Sequence, residues 1–278
     1  MKKMAWEERA RARLASDEPE RCRTAHSITA FFPAYNDAPT IGGLVAFTDA
    51  VLSRVTTDYE ILVVNDASPD GMAAVLAALG ERFPCLKVVT HPTNRGYGGA
   101  LQSGFAQATK HLIFYTDGDG QYDPTEILAL LPHLADADLV NGYKIRRADA
   151  LYRVVIGRLY HWTAKLLFGL KVRDVDCDFR LVRRATMQQI HLVSMKGSIC
   201  CEMIKKLQRV RCRIVEVPVH HYPRVWGRSQ FFQFSKVVQS LGMLLRLWVD
   251  MVLAPALRAL PLLRPFQRRV PVDAGGPE

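Results

Sequence analysis

The chain carries two aspartates, Asp117 and Asp119, one residue apart in the segment Thr116–Pro124. They follow the apolar run His111–Tyr115, which predicts a buried strand. Carboxylate oxygens at the end of such a strand offer a hard-ligand site that could hold a divalent cation against a diphosphate. Asp-Gly pairs also form ordinary tight turns, so for this segment alone a hairpin connection is an equal alternative.

Two other uses of aspartates and glycines are excluded by spacing. An EF-hand calcium loop needs Gly at its sixth position and Glu at its twelfth, but counted from Asp117 those positions hold Tyr122 and Leu128. The glycines of Asn94–Gly99 permit close backbone approach. They lack the Gly-x-Gly-x-x-Gly spacing of a dinucleotide site, which disfavours an NAD enzyme.

Short apolar runs alternate with stretches of helical periodicity from Ser27 to Val140. This alternation predicts an α/β fold with a mostly parallel sheet and helices on both faces. The predicted strands are Ile28–Phe32, Glu60–Val64, Leu86–Thr90, His111–Thr116 and Asp138–Asn141, and the predicted helices are Thr40–Arg54, Gly71–Arg82, Gly98–Lys110 and Thr125–Ala135.

Ligands of such sheets bind beyond the carboxyl ends of the strands. Polar, turn-rich segments follow the first four predicted strands, and we expect them to converge on one edge of the sheet. They are residues 33–37, 65–71, 91–99 and 117–121.

The two halves of the chain differ in charge. Residues 28–141 contain five Lys/Arg against thirteen Asp/Glu, whereas residues 142–278 contain twenty-five against nine. An acidic half with a candidate metal loop beside a basic half suggests a metal-chelated donor that meets an anionic acceptor or an anionic membrane surface. Nucleic acid is not predicted as a partner, because the basic half has no zinc-finger spacing, RNP-type aromatic motif or basic-zipper heptads.

The six cysteines contain no Cys-x-x-Cys pair and indicate reduced packing residues of a cytosolic protein. The second half of the chain contains two further predicted strands, Val172–Val182 and Arg213–Val219, and a predicted apolar helix, Phe231–Leu253. Arg246 and Asp250 interrupt that helix, so it lacks the ~20 apolar residues of a membrane span. Lying on a bilayer surface and packing on the sheet both remain open for it.

Six motifs occur in an order that resembles family 2 glycosyltransferases, specifically the dolichyl- or polyprenyl-phosphate sugar transferase branch, over nearly all of Ile28–Phe232. The resemblance implies a GT-A type fold, in which a Rossmann-like, mostly parallel sheet binds a nucleotide-diphospho-sugar and Mg²⁺ or Mn²⁺. The apolar pattern of the chain itself adds a C-terminal amphipathic helical extension to this fold. The motifs are Pro33–Asn36, Asp66–Gly71, Asn94–Ala100, Asp117–Gln121, Asp176–Arg180 and Arg224–Ser229.

The resemblance also divides the chain into four segments. Residues 1–27 are a flexible or helical lead-in without the apolar centre of a secretory signal. Residues 28–141 form the donor-binding half and residues 142–232 the acceptor-binding half of one catalytic domain. Residues 233–278 form the apolar or amphipathic helix and an Arg/Pro tail.

Carried over residue by residue, the resemblance implies three sets of site residues. Asp66 has a structural alternative, because its side chain could simply stabilise an Asx-turn. The donor-binding residues are Pro33, Tyr35, Asp37, Asp66 and Asp117, the metal ligands are Asp117, Asp119 and Gln121, and the acceptor- or phosphate-binding residues are Arg146, Arg153, Arg158, Arg224, Arg228 and Ser229.

The catalytic residues implied are Asp119, Asp178 and Arg153. A metal held by Asp119 would neutralise the departing diphosphate. The role of Asp178 depends on the acceptor: it is a general base toward a hydroxyl, and it orients arginines or closes the sugar pocket if the acceptor is a phosphate.

The leading hypothesis is an inverting, metal-dependent hexosyltransferase that acts peripherally at the cytoplasmic membrane face. It would use a UDP- or GDP-hexose donor and a polyprenyl (dolichyl-like) phosphate acceptor. One alternative is transfer to a hydroxyl of a glycan, glycolipid or small metabolite, and another is a non-catalytic nucleotide-sugar-binding scaffold. The motifs do not specify the sugar, the base, the natural metal or the oligomeric state.

Overall fold

A computed structural model describes residues 4–145, 162–226 and 242–259 of the chain. Its strands are β1 (Ile28–Ala34), β2 (Tyr59–Asn65), β3 (Leu86–Thr90), β4 (Leu112–Thr116), β5 (Leu139–Lys144), β6 (Phe179–Arg183) and β7 (Ile214–Val219). They form one seven-stranded sheet in the order β3-β2-β1-β4-β6-β5-β7. Neighbouring strands are parallel except at β6, which is antiparallel to both β4 and β5. The predicted mostly parallel sheet is confirmed.

Helices lie on both faces of this sheet. Because β1 and β4 are buried along their whole length, they read in the sequence as continuous apolar runs. The helices are α1 (Glu7–Ala15), α2 (Glu18–Arg21), α3 (Ala38–Val55), α4 (Met72–Arg82), α5 (Gly96–Gln107), α6 (Ile127–Leu130), α7 (162–168), α8 (Arg184–Met187), α9 (Ile199–Arg209), α10 (242–248) and α11 (Ala254–Ala259). Two 3-10 turns, Pro124–Glu126 and Leu131–Ala135, flank α6. A π-helical turn, Val249–Leu253, joins α10 to α11.

The predicted strand Val172–Val182 is wrong over most of its length, since only its end belongs to β6. The segment before β6 is a polar turn. Asp174 accepts hydrogen bonds from the backbone nitrogens of Lys144, at 3.4 Å, and Asp176, at 3.1 Å. An aspartate that bonds to the backbone two residues further on favours a turn over a strand ladder.

One face of the sheet packs against α5, α7, α9 and α10. Phe31 of β1 stacks on Tyr115 of β4 with ring centroids 5.3 Å apart, and Phe105 of α5 meets both rings edge-on. Gly104 of α5 makes room for this cluster, because a Cβ there would lie 2.4 Å from the Phe31 ring. Leu244 and other apolar residues of the C-terminal helices join the same core. Within the described ranges, every helix is too short or too polar to cross a bilayer.

The N-terminal segment supports the other face and the loop after β4. Trp6 is fully buried, and its ring meets Phe47 of α3 edge-on at 5.1 Å. Its indole Nε1 donates a hydrogen bond to the carbonyl oxygen of Gly120 at 2.8 Å. From α1, Arg13 donates to Asp123 Oδ2 at 2.7 Å. The first helix therefore holds the loop in which the paired aspartates lie.

Trp6→Ala should destabilise the protein by about 3–5 kcal/mol, since it removes a fully buried aromatic ring and leaves a cavity. It should also loosen the loop at Gly120. Urea unfolding and amide hydrogen exchange of the loop measure the two effects. Val193→Ala, which truncates a side chain that is 57% exposed, is the control and should change stability by less than about 0.5 kcal/mol. Equal stability of the two variants would contradict the anchoring role of Trp6.

Candidate active site

The polar loops after β1, β2 and β4 meet at the carboxyl edge of the sheet, where the sequence placed them. The Gly118 nitrogen donates to the Pro33 carbonyl oxygen at 3.2 Å, and the Asn36 nitrogen donates to Ser68 Oγ at 2.7 Å. Thr40 Oγ1 at the start of α3 donates to the Gly118 carbonyl oxygen at 2.7 Å. A glycine is needed at position 118, because a Cβ there would lie 2.8 Å from the Pro33 oxygen.

Buried carboxylates collect at this edge around one arginine. Arg224, in the segment after β7, donates from Nη2 to Asp119 Oδ2, and its Nη1 lies 3.9 Å from Asp37 Oδ1. Asp119 Oδ1 also accepts from the Gln121 nitrogen at 2.9 Å, and Asp37 Oδ2 accepts from the Tyr35 nitrogen at 3.1 Å. The acidic first half and the basic second half of the chain thus meet in an ion pair.

Burial and mutual repulsion raise the pKa values of these carboxyls. Burial and then the charge of Asp119 raise the pKa of Asp37 from an ordinary 3.8 to about 7, against the opposing effect of Arg224. Burial raises the pKa of Asp117 well above its usual value, and the charges of Asp178 and Asp119 add to the shift. Burial also raises the pKa of Asp119, while Arg224 lowers it. Arg224 and Lys144 offset only part of the cost of ionising these carboxyls, which favours a further cation.

The donor set fits a divalent cation that shares its ligands with a diphosphate. Among the residues that the structure describes, no three His, Cys, Asp or Glu side chains form a metal cage. In phosphate-handling sites, Mg²⁺ takes only one or two protein carboxylates and completes its shell with phosphate oxygens and water. Asp117 and Asp119 are the carboxylates that would hold such an ion.

Gln121 remains a prediction as a metal ligand. In the structure its side-chain Nε2 donates to the Tyr222 carbonyl oxygen at 2.9 Å, and the Tyr222 nitrogen donates to the Gln121 carbonyl oxygen at 2.8 Å. These bonds join the aspartate loop to the segment that carries Arg224. Gln121 therefore sets the distance between the two charged partners.

Asp66 is buried, and its carboxylate organises the loop after β3. Its Oδ1 lies 2.6 Å from His91 Nδ1 and accepts from the Arg95 nitrogen at 2.8 Å, while its Oδ2 accepts from the Gly96 nitrogen at 2.8 Å. These contacts use about three of the four acceptor positions of a carboxylate. Its contact with a nucleotide stays a prediction, and the structure shows that Asp66 fixes the start of α5.

The close backbone approach in the glycine-bearing loop is made to the chain itself. The Gly98 nitrogen donates to the Met195 carbonyl oxygen at 3.0 Å, and a Cβ on Gly98 would lie 2.2 Å from the Ser194 carbonyl oxygen. This glycine thus lets α5 pack against residues 194–196. The absence of a Cβ at Gly98 makes this packing contact possible.

Two residues that the sequence analysis did not assign hold the aspartates in place. The Tyr97 hydroxyl donates to Asp117 Oδ1 at 2.9 Å. Arg180 is fully buried, its Nη1 lies 3.6 Å from Asp178 Oδ1, and its Nε donates to Asn141 Oδ1 at 2.6 Å. Tyr97 and Arg180 both lie within the six motifs, and this position was the one feature of the sequence that could have marked them as site residues. The bonds from Tyr97 to Asp117 and from Arg180 to Asn141 join separate segments, so these roles needed the tertiary structure.

The remaining predicted site residues fall into two groups. Pro33 is buried at the end of β1, whereas the Tyr35 side chain is 38% exposed and can contact a ligand. The other group lies outside the described residues, and its acceptor-binding and catalytic roles stay predictions. It comprises Arg146, Arg153, Arg158, Arg228 and Ser229.

Comparison with known proteins gives a family match and several relatives. Residues 29–190 match the family model described as Glycosyl transferase family 2. The chain is 29% identical over 209 residues to the undecaprenyl-phosphate 4-deoxy-4-formamido-L-arabinose transferase of Enterobacter sp. (strain 638). The aligned region covers 74% of this chain and 63% of that protein. The chain is 28% identical over 229 residues to the protein of the same name from Yersinia pestis (strain Pestoides F), which covers 81% and 66%. The chain spans just under two thirds of the length of these relatives, 63% and 66%.

Solved structures share the fold. Glucosyl-3-phosphoglycerate synthase from Mycobacterium tuberculosis, in complex with Mn²⁺, UDP and glucosyl-3-phosphoglycerate, aligns with a TM-score of 0.61 at 18% identity over 85% of this chain and 82% of that one. The same synthase with Mg²⁺ and UDP aligns with a TM-score of 0.63 at 17% identity over 83% and 82%. The predicted GT-A type fold is confirmed.

Asp37→Asn should stabilise the ligand-free protein above about pH 7. The pKa of Asp37 is raised from 3.8 to about 7 in the folded state. Between these two pH values the native protein holds a proton on Asp37 that the unfolded chain has already lost. The stability that this proton confers is present below about pH 4 and is lost as the pH rises through about 7. The upper bound of the effect is about 4 kcal/mol.

Urea unfolding of both proteins between about pH 5 and 8 measures this difference. The stability of the wild-type protein should fall relative to that of Asp37→Asn across the range. Asp136→Asn, at an exposed aspartate, is the control and should follow the wild-type curve. Parallel curves for the wild type and Asp37→Asn would show that Asp37 is ionised throughout.

Proposed function

Because the chain belongs to glycosyl transferase family 2, we propose that it transfers a sugar from a nucleotide-diphospho-sugar to a polyprenyl phosphate. The observation that carries the proposal is the meeting of Asp117, Asp119 and Arg224 at the carboxyl edge of a family 2 sheet. The two relatives named as undecaprenyl-phosphate transferases support the acceptor class. The sugar in the names of these relatives is an arabinose derivative, so the hexose and the UDP or GDP carrier are our own proposal.

The proposed reaction inverts the anomeric centre in one displacement. An oxygen of the acceptor phosphate forms a bond to the anomeric carbon, while the bond from that carbon to the diphosphate breaks and its electron pair leaves with the diphosphate. A phosphate monoester has a second pKa near ~6 and is already ionised at neutral pH, so this nucleophile needs no general base. The barrier then depends mainly on the charge that develops on the leaving diphosphate.

The residues of the site are suited to that charge. A bound Mg²⁺ or Mn²⁺ would neutralise the diphosphate as a Lewis acid. Asp117 and Asp119 would hold the ion, with Asp117 oriented by the Tyr97 hydroxyl. Arg224 pairs with Asp119 in the ligand-free chain and could turn its planar guanidinium toward phosphate oxygens when the donor binds.

We also propose that the protein acts peripherally at the cytoplasmic face of a membrane, because a polyprenyl phosphate resides there. Two helices support this location. On α7, Trp162 is 65% and Leu166 is 86% exposed, and Leu245 of α10 is 55% exposed. Exposed apolar side chains on helices of a basic half fit a bilayer surface.

Transfer to a hydroxyl is the second candidate, and the position of Asp178 favours it. The charge of Asp178 acts on Asp117, so the two carboxylates share one site. Arg180 and the Cys200 thiol, whose Sγ lies 3.2 Å from Asp178 Oδ1, hold Asp178 in place. A hydroxyl must lose its proton during attack, and Asp178 could accept it.

Asp119→Asn should lower sugar transfer at least about 100-fold, because it weakens both the cation site and the pairing with Arg224. The assay measures transfer of labelled sugar from UDP- or GDP-hexoses to polyprenyl phosphate with Mg²⁺ or Mn²⁺. A chelator should abolish transfer by the wild type, and added metal should restore it. Asp136→Asn is the control and should remain active.

Two outcomes of this assay would count against the proposal. Absence of transfer by the wild type with every common donor would contradict it. Tight nucleotide binding without turnover, unchanged in Asp119→Asn, would favour the non-catalytic scaffold.

Asp178→Asn separates the two acceptor classes. If the acceptor is a hydroxyl, this variant should lose transfer by roughly 100-fold or more, since the amide cannot accept the proton. If the acceptor is a phosphate, the loss should be modest, because the nucleophile is already ionised. Transfer rates to polyprenyl phosphate and to hydroxyl acceptors measure the difference, and Asp178→Glu should recover activity only where a base is required.

A further inference from the structure

A second concave site lies at the amino-terminal end of β7, whereas Arg224 follows its carboxyl-terminal end. The cavity measures about 430 Å³. Its walls are the turn after α7, the end of α9 and the start of β7. The polar side chains that line it are Lys171, Lys205, Gln208, Arg209, Arg211 and Glu216.

The pocket carries an excess of positive charge. Four of its lining side chains are cationic, and Glu216 is the carboxylate among the residues that line it. Glu216 Oε1 already accepts from the Arg173 nitrogen at 2.6 Å. Lys205 Nζ donates to the Phe168 carbonyl oxygen at 2.6 Å, and Arg209 donates to the Met251 carbonyl oxygen. Neutral carbonyls hold these two cations in place and leave their charge uncompensated.

Several donors of the pocket have no acceptor in the described part of the chain. The side chains of Lys171 and Arg211 make no hydrogen bond or ion pair with described residues. Gln208 Nε2 is buried and lacks an acceptor there. Burial and the neighbouring Arg209 charge also lower the pKa of Lys205. Lys171 and Arg211 are exposed to solvent, so a bound anion would relieve the repulsion among the cations and offer an acceptor to the buried Gln208 donor. Cationic forks and ammonium groups suit phosphate oxygens.

The surroundings of the pocket indicate where that phosphate comes from. Gly169, which lines the pocket, directly follows α7 with its exposed Trp162 and Leu166. Lys165 Nζ lies 5.7 Å from the Trp162 ring centroid. The bond from Arg209 to Met251 ties the pocket to the C-terminal helices. Apolar and aromatic side chains next to a cationic pocket are typical of a surface that meets anionic lipid.

We propose that this pocket binds the phosphate of an anionic phospholipid headgroup and anchors the chain at the membrane surface. The site is separate from the donor site and takes no part in the chemistry. It extends the proposed membrane association, but it does not require that the protein transfer a sugar.

The test compares vesicles of phosphatidylcholine with vesicles that also contain phosphatidylglycerol. The wild type should bind the anionic vesicles more tightly. Lys171→Gln combined with Arg211→Gln should weaken that binding roughly 30-fold, since each cation near an anionic surface contributes to partitioning. The matched control is Arg23→Gln combined with Arg82→Gln, which removes the same charge from exposed positions elsewhere. It should retain most of the binding.

A second variant tests the pocket without changing its charge. Gln208→Leu removes the buried donor and should weaken binding to anionic vesicles a few-fold, with no change on phosphatidylcholine. The proposal would be overturned if the double variant of the pocket and its matched control lost the same amount of vesicle binding. It would also be overturned if the pocket variants bound anionic vesicles as tightly as the wild type. A third contrary outcome is that the pocket binds inorganic phosphate in a thermal-shift assay, but vesicle binding is unchanged when the pocket residues are replaced.

The nucleotide affinity of each variant shows whether the donor site is intact. Pocket-dependent vesicle binding by a protein that transfers no sugar would refute the proposed function and leave the lipid pocket standing.

Discussion

Arg224 and the buried carboxylates of Asp37 and Asp119 form the interaction on which the site depends. The carboxylates lie at the end of a sheet where burial and mutual repulsion penalise their charge, and the guanidinium offsets only part of it. A site in this state is poised for an additional cation. A diphosphate would arrive with such a cation and use the arginine as well, so one electrostatic imbalance accounts for both partners.

Much of the surrounding structure keeps this imbalance in place. Trp6 supports the aspartate loop from one side, Tyr97 bonds to Asp117, and Asp66 fixes the loop that leads into α5. Gln121 ties the loop to the Arg224 segment. Burial is the main cause of the raised pKa values, and rigid support keeps the carboxylates both buried and close to one another.

The charge asymmetry of the chain has a counterpart along β7. Its carboxyl-terminal end leads to Arg224 in the acidic site, and its amino-terminal end borders the basic pocket of Lys171 and Arg211. The proposed chemistry and the proposed membrane anchor therefore occupy opposite ends of one strand.

The sequence alone determined most of the sheet, because buried parallel strands read as apolar runs between amphipathic helices, and the predicted strand His111–Thr116 matches the buried β4 except at its first residue. It also predicted that the loops of Asp37, Asp117 and Asp119 meet at one edge of the sheet, since polar loops that follow parallel strands converge there. Only the tertiary structure decided that Arg224 pairs with Asp119, 105 residues away. It alone showed that the polar turn at Asp174 shortens β6 and that Lys171 joins Arg211 in one pocket. Periodicity reports local geometry, whereas these contacts arise from packing between distant segments, which no local pattern encodes.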